Sequence, residues 1–227
     1  MSRIGTAETP VKKKSLHARQ RDTPEVQQQR AEFKKAVATL EVAHFKFLDE
    51  SGVNLSLTRL YGRAAPDQRV VESTPLPSGP HTTTLAVIGA TGITAPLVLS
   101  GAVNGDIFYS YIEQCVVPTL IRGDILFMDN LSAHKIAGIE TLIEACGAHL
   151  IYLPPYASDF NPIELAWSTH RPTPAQSGRG HGQVKTKLRQ LKARTFPNLI
   201  KALKRALLAI TPQDVQGWFL HCGYAIN

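Results

Sequence analysis

Two short apolar runs in this chain stop at an aspartate. Phe45-Lys46-Phe47-Leu48 precedes Asp49, and Ile125-Leu126-Phe127-Met128 precedes Asp129. Runs of that length read as buried strands. A polar loop and a helical pattern follow Asp129. That order places it at the carboxyl edge of a parallel strand, the edge at which open α/β sheets bind ligands. The alternative is that Asp129 caps the helix expected to start near Ala133. Asp49 and Glu50 fall on opposite faces of their strand, because side chains alternate. Asp49 shares the face of Phe45 and Phe47 and is the favoured site residue, with Glu50 the rival.

A third acid, Glu164, stands in Asn161-Pro162-Ile163-Glu164. Asn161, Pro162 and Glu164 occupy the N-cap, N1 and N3 positions of a predicted helix, so Glu164 is either a capping-box acid or a functional one. A helix N-terminus favours the ionised carboxylate, as a metal site also requires. Three acids aimed at one point repel one another, and a divalent cation is the usual way to hold them together.

The strand pattern changes along the chain. Stretches 57–62, 82–89 and 93–99 read as strands, with Ser51-Gly52-Val53-Asn54 as a turn and Gly89-Ala90-Thr91-Gly92 as a hairpin. Strand after strand implies an antiparallel meander. Further on, helical patterns (108–119 and 136–146) alternate with strands (125–128 and 149–153), which implies parallel pairing. The result is an α/β chain with a mixed sheet flanked by helices. Thr23-Pro24-Glu25 starts a helix whose apolar face holds Val26, Phe33, Val37 and Leu40. Phe196, Leu199, Ile200, Leu203, Leu207 and Ile210 form another apolar helical stripe. Residues 1–22 read as a basic linker or tail and 23–227 as one core. Residues 169–183, with Pro172, Pro174 and three glycines, read as a flexible insertion.

The formal charge of +7 favours a polyanionic partner. From Leu165 onward ten Lys and Arg face a single acid, Asp214, so the basic surface is mostly C-terminal. A solvated helix face is the alternative. Three scattered cysteines argue for reduced thiols inside a cell, against a zinc site or disulfide frame. No apolar stretch approaches the roughly 20 residues of a membrane span. A phosphodiester is therefore the natural substrate of a cation held by the three acids.

Three blocks carry a resemblance: Leu48-Asp49-Glu50-Ser51-Gly52; Met128-Asp129-Asn130-Leu131-Ser132-Ala133-His134; and the run from Leu153 through Pro154-Pro155-Tyr156-Ala157-Ser158-Asp159-Phe160 to Asn161-Pro162-Ile163-Glu164. Together they resemble the DDE transposases of the mariner-like insertion-sequence group. Thirty-four residues separate Asp129 from Glu164, a spacing that group uses. The C-terminal Trp218-Phe219-Leu220-His221-Cys222-Gly223-Tyr224 is similar to that group's end.

The resemblance implies a ribonuclease H-like mixed five-stranded sheet. It implies a triad of Asp49, Asp129 and Glu164 binding two Mg²⁺ or Mn²⁺ ions for DNA strand cleavage and transfer. Hard oxygen ligands suit those metals. Asn130 and His134 match residues that orient the scissile phosphate or a metal-bound water; a capping Asn and a surface His are the alternatives. Tyr61, Arg63, Lys185, Lys187 and Arg189 would hold phosphates, giving affinity rather than sequence choice. The implied partners are transposon ends and target DNA, with a second copy or a full-length transposase, in an intracellular, cytoplasmic setting.

Two departures stand out. Full members of the group carry further N-terminal helix-turn-helix units, whereas the likeness here starts near Val11. The Glu-bearing helix is interrupted by 169–183, and Pro172 predicts that it ends near residues 169–171. A truncated, inactive relative that binds DNA or a full-length transposase is the alternative function.

Overall fold

The computed structural model describes residues 18–59, 62–74, 81–131, 134–168 and 183–225. Five strands form one sheet: β1 (Phe45–Val53), β2 (Thr82–Gly89), β3 (Gly92–Ser100), β4 (Ile125–Met128) and β5 (His149–Tyr152), in the order β3-β2-β1-β4-β5. The pairs β1/β2 and β2/β3 are antiparallel, and β1/β4 and β4/β5 are parallel. The expected switch from meander to alternation thus coincides with the step from β1 to β4. The Ala90-Thr91 loop joins β2 to β3, as the hairpin reading expects.

Helices cover both faces. On one side lie α1 (Pro24–Val37), α4 (Pro162–Trp167), α5 (Gln183–Leu191), α6 (Phe196–Leu207) and α7 (Pro212–His221). They pack over Phe45, Phe47 and Phe127, an aromatic layer joined by Phe33, Phe160, Phe219 and Tyr224. On the other side lie α2 (Gly105–Tyr111) and α3 (Ile139–Ala145), over the aliphatic side chains Leu48, Leu85, Val87, Leu126 and Met128. After Tyr111, α2 continues through a π-helical turn and a 3-10 turn to Thr119. Odd positions of β1 feed one layer and Leu48 the other, the period-2 alternation of a doubly covered sheet.

Four expectations are corrected. Residues 51–54 are not a turn: β1 runs on to Val53, because Glu50, Ser51, Gly52 and Val53 find partners in Leu85, Thr84, Thr83 and Thr82. Cross-strand pairing overrides the local Ser-Gly preference. Among the described residues of 57–62 no strand forms. The carbonyls of Leu55 and Leu57 instead accept from the Arg194 guanidinium, at 2.9 and 3.1 Å, so a side chain takes the place of a ladder. The α-helix after Asp129, expected over 136–146 and, in the capping alternative, from near Ala133, spans Ile139–Ala145 and is entered through the left-handed Gly138 (φ 91°). The helix bearing Glu164 ends at Trp167, where Ser168 turns extended (ψ 161°), short of the expected end near residues 169–171.

The insertion expected over 169–183 lies, but for Gln183, outside the described residues, as does Tyr61. Of the expected tail, 1–17 lie outside them, and Arg19–Asp22 form a 3-10 turn. The three cysteines are unpaired. Among the described residues no helix is long and apolar enough to cross a membrane.

Candidate active site

The parallel register of β1 and β4 sets the first two acids side by side. Phe47 pairs with Phe127, and their rings stack at 4.6 Å with 15° between planes. Asp49 and Asp129 each stand two residues further on, so both continue the face of those rings at matched height. Neighbouring strands lie about 4.8 Å apart, which makes the two acids lateral neighbours. Asp49 is not the end of its strand. It is the point at which β1 outruns its parallel partner and remains paired only to β2. Glu50 is exposed, so the alternation that favours Asp49 holds.

Glu164 arrives from above the same edge. β5 ends at Tyr152, and a loop through Pro154 and Pro155 leads to α4. A cleft of about 400 Å³ is lined by Asp49, Asp129, Asn130, Pro155, Tyr156, Asn161 and Glu164, with Leu153 at its floor. The three acids therefore share one cavity. They do not close into a cage: among the described residues, no group of three or more His, Cys, Asp or Glu is placed to hold a metal ion.

Electrostatics ties the three together. Burial pushes the Asp49 carboxyl well above the ordinary aspartate range. The charge of Glu164 adds to this, and Asp129 and Glu50 add less; a hydrogen bond from the Glu50 backbone opposes it. Glu164 is also raised, first by loss of water around it. Lys185 of α5 partly offsets that rise, and Asp129 adds to it. Oδ2 of Asp49 is buried and has no hydrogen-bond partner among the described residues. A buried carboxylate oxygen without a donor is costly unless a cation meets it. The set is all oxygen and acidic, so its chemistry fits a hard divalent cation such as Mg²⁺ or Mn²⁺.

Each acid is held differently. Asp129 accepts a hydrogen bond from Nδ1 of His134 and a longer one (3.4 Å) from the Leu131 backbone N–H. His134 is only 6% exposed and stacks on Phe108 at 4.5 Å. It therefore faces Asp129 from inside the fold and does not stand at the surface. Asn130 is exposed at the cleft mouth.

The loop before Glu164 is gripped from far along the chain. Arg30 of α1, 6% exposed, donates to the Tyr156 carbonyl at 3.1 Å and to Asp159 at 2.7 Å. Its guanidinium lies 4.2 Å over the Phe160 ring, which Phe33 stacks at 5.5 Å. Arg21 also reaches Asp159, at 2.9 Å, and the Tyr224 hydroxyl donates to the Phe160 carbonyl at 2.9 Å. Burial would raise Asp159, yet Arg30 and then Arg21 hold it below the usual range. The grip matters because Tyr156 has a left-handed backbone (φ 56°), unfavourable for a bulky residue.

Sequence reasoning assigned no role to these supports. Arg30 did leave a signal. Together with Val26, Phe33 and Val37 it completes a helical stripe, at the position where an apolar residue would stand.

Of the other residues expected at the site, Lys185 is half-buried beside Glu164, Lys187 is exposed on α5, and Arg189 is half-buried. Arg63 is exposed in the long β1–β2 connection and does not line the cleft. Trp218 is 1% exposed and packs in the aromatic layer.

Comparison with known proteins points the same way. The family described as DDE superfamily endonuclease matches residues 44–179. Among solved structures, the Mos1 strand transfer complex aligns with a TM-score of 0.66 and 12% identity, over 97% of this chain and 64% of that one. The Mos1 mariner paired end complex with Mn gives 0.66 and 11%, over 97% and 65%. The catalytic domain of Mos1 mariner transposase gives 0.56 and 11%, over 92% of each chain. At such identity the likeness concerns the fold, which is the ribonuclease H-like one expected. The chain spans about two thirds of the length of the chains in the two complexes. No curated protein matches the sequence.

Proposed function

We propose a DNA-cutting role from one premise: this chain belongs to the DDE superfamily endonuclease family. In this reading it is the catalytic core of a transposase that breaks and rejoins DNA strands. The observation that carries it is that Asp49, Asp129 and Glu164, from three separate elements, line a single cleft. Asp49 and Asp129 would hold divalent cations from the sheet edge and Glu164 from α4. Two Mg²⁺ or Mn²⁺ ions held there would supply Lewis acidity at the phosphoryl oxygens and make the attacking water or hydroxyl more acidic.

The chain's own residues do the rest. His134 fixes the rotamer of Asp129, as a histidine or carboxylate partner does for many metal ligands. The Arg30 grip sets the height of the Glu164 helix. Lys185, Lys187 and Arg189 of α5, with Arg63 and Asn130, meet phosphate oxygens. Such contacts give affinity and register without reading bases. The substrate is duplex DNA at element ends and at a target, a reading that the relatives' strand transfer and paired end complexes support, with a second copy or a full-length transposase as the partner.

The test is plasmid nicking in Mn²⁺ by this chain and by Asp129→Ala. The reading requires metal-dependent nicks that the substitution removes. Equal nicking by both proteins would assign the activity to a contaminant and sink it.

A further inference from the structure

Asn161 is the residue whose chemistry the proposed reaction leaves unused. It occupies the N-cap position of α4, with the extended backbone such a residue adopts (φ −106°, ψ 101°). An N-cap asparagine ordinarily accepts a backbone N–H of the first turn through its side-chain oxygen. Here it makes no side-chain cap bond. Nor can the reciprocal half of a capping box form. The Asn161 backbone N–H already donates to the Ser158 carbonyl at 3.1 Å, which leaves no donor for Glu164.

The residue is 3% exposed, and its Oδ1 is buried without a hydrogen-bond partner among the described residues. A buried acceptor left unpaired is destabilising, so a function is the natural account of it. It shares its cleft with the three acids, and the other buried, unpaired side-chain oxygen in that cleft is Oδ2 of Asp49.

A carboxamide oxygen is a hard neutral donor of the kind Ca²⁺, Mg²⁺ and Mn²⁺ accept beside carboxylates. It adds a contact without adding negative charge. A site built from three carboxylates and one amide keeps more of the cations' positive charge for a phosphodiester than a fourth carboxylate would. We infer that the Asn161 side-chain oxygen is a fourth oxygen donor to the cation site of Asp49, Asp129 and Glu164, as a direct ligand or through one cation-held water. This rests on the metal-site reading above.

The experiment is a Mn²⁺ titration of the full chain, free ion being read by electron paramagnetic resonance, beside metal-free thermal melts. It compares the wild type with Asp129→Ala, Asn161→Ala, Asn161→Ser and Asn161→Asp. The wild type should bind and Asp129→Ala should not. Asn161→Ala and Asn161→Ser should each weaken Mn²⁺ about tenfold, the lower end of what loss of a supporting metal contact costs. Their metal-free melts should match or exceed the wild type, since no cap bond is lost and the strain of an unpaired buried acceptor is relieved. Asn161→Asp should bind at least as tightly as the wild type, because added ligand charge raises affinity.

Wild-type affinity in both Asn161→Ala and Asn161→Ser, with Asp129→Ala still defective, would overturn this inference alone. So would a lower melt in Asn161→Ala restored by Asn161→Ser, which is the behaviour of a cap. Absence of binding by the wild type, or equal binding by Asp129→Ala, would overturn the metal-site reading and this inference with it.

Discussion

Helices α4 and α7 begin with the same pattern: a polar N-cap, a proline, any residue, then an acid. In α7 the pattern is Thr211-Pro212-Gln213-Asp214, and both side chains close the box. Thr211 accepts from the Asp214 N–H at 3.2 Å, and Asp214 accepts from the Thr211 N–H at 2.9 Å. In α4 the pattern is Asn161-Pro162-Ile163-Glu164, and neither side chain turns back to the backbone. One start uses its polar groups to stabilise a surface helix. The other leaves them facing a cleft, and the helix is held by neighbours instead. A capping motif in a sequence thus marks where a helix starts, but its side chains remain available for other work.

The sharpest way to break that contrast is to exchange the roles of the two acids. Glu164→Gln should reduce metal-dependent nicking to background while leaving the metal-free melt unchanged or slightly higher. Asp214→Asn should leave nicking intact. Nicking that survived Glu164→Gln would make α4 an ordinary capped helix. The next effect belongs to the neighbours that stand in for the cap. Arg30→Ala should destabilise the fold by about 2 kcal/mol, less than a fully buried pair because Asp159 is partly exposed and retains Arg21. That corresponds to a melting shift of about 4–8 °C at this chain length, and nicking should fall with it. An unchanged melt would show that the loop holds itself.

Asp49 gives a smaller effect of opposite sign. Its carboxyl is raised in the folded chain, so the folded state keeps this proton to higher pH than the unfolded one. Its stabilising share is complete below the unfolded value and is lost as pH rises through the folded value. Asp49→Asn should therefore melt above the wild type without metal, by a margin that widens over the pH range above the ordinary aspartate value. It should also lose the rise in melting temperature that Mn²⁺ gives the wild type. A constant margin across that range would mean that the site does not strain Asp49. The smallest effect is the cap itself. Thr211→Ala should cost about 1 kcal/mol, a shift of about 2–4 °C, with nicking unchanged.

What the sequence made legible followed from local rules. The alternation through Phe45, Phe47 and Asp49 named the correct face, and the apolar run before Asp129 named the correct edge. Pro162 marked the start of α4. What it hid depended on distant partners. Nothing near Ser51 or Gly52 says that Thr82 to Leu85 will extend β1, and nothing near Leu57 says that Arg194 will satisfy its carbonyl. Asp159 reads as a loop acid until Arg30, 129 residues away in sequence, is laid beside it. The capping box at Thr211 is the exception: a strong local signal that sequence reading passed over in favour of the aromatic block after it.

The grip on the Tyr156–Phe160 loop has a practical corollary. Its anchors, among them Arg30, Phe33 and Tyr224, come from opposite ends of the folded core. A chimera that transplanted the contiguous motif from Leu153 to Glu164 into a foreign host would inherit the recipe for the left-handed kink but not the scaffolding that enforces it. Donor and host would have to agree at both termini before the graft could reproduce the parent's geometry, so boundaries drawn between α1 and β1 are the ones recombination should avoid.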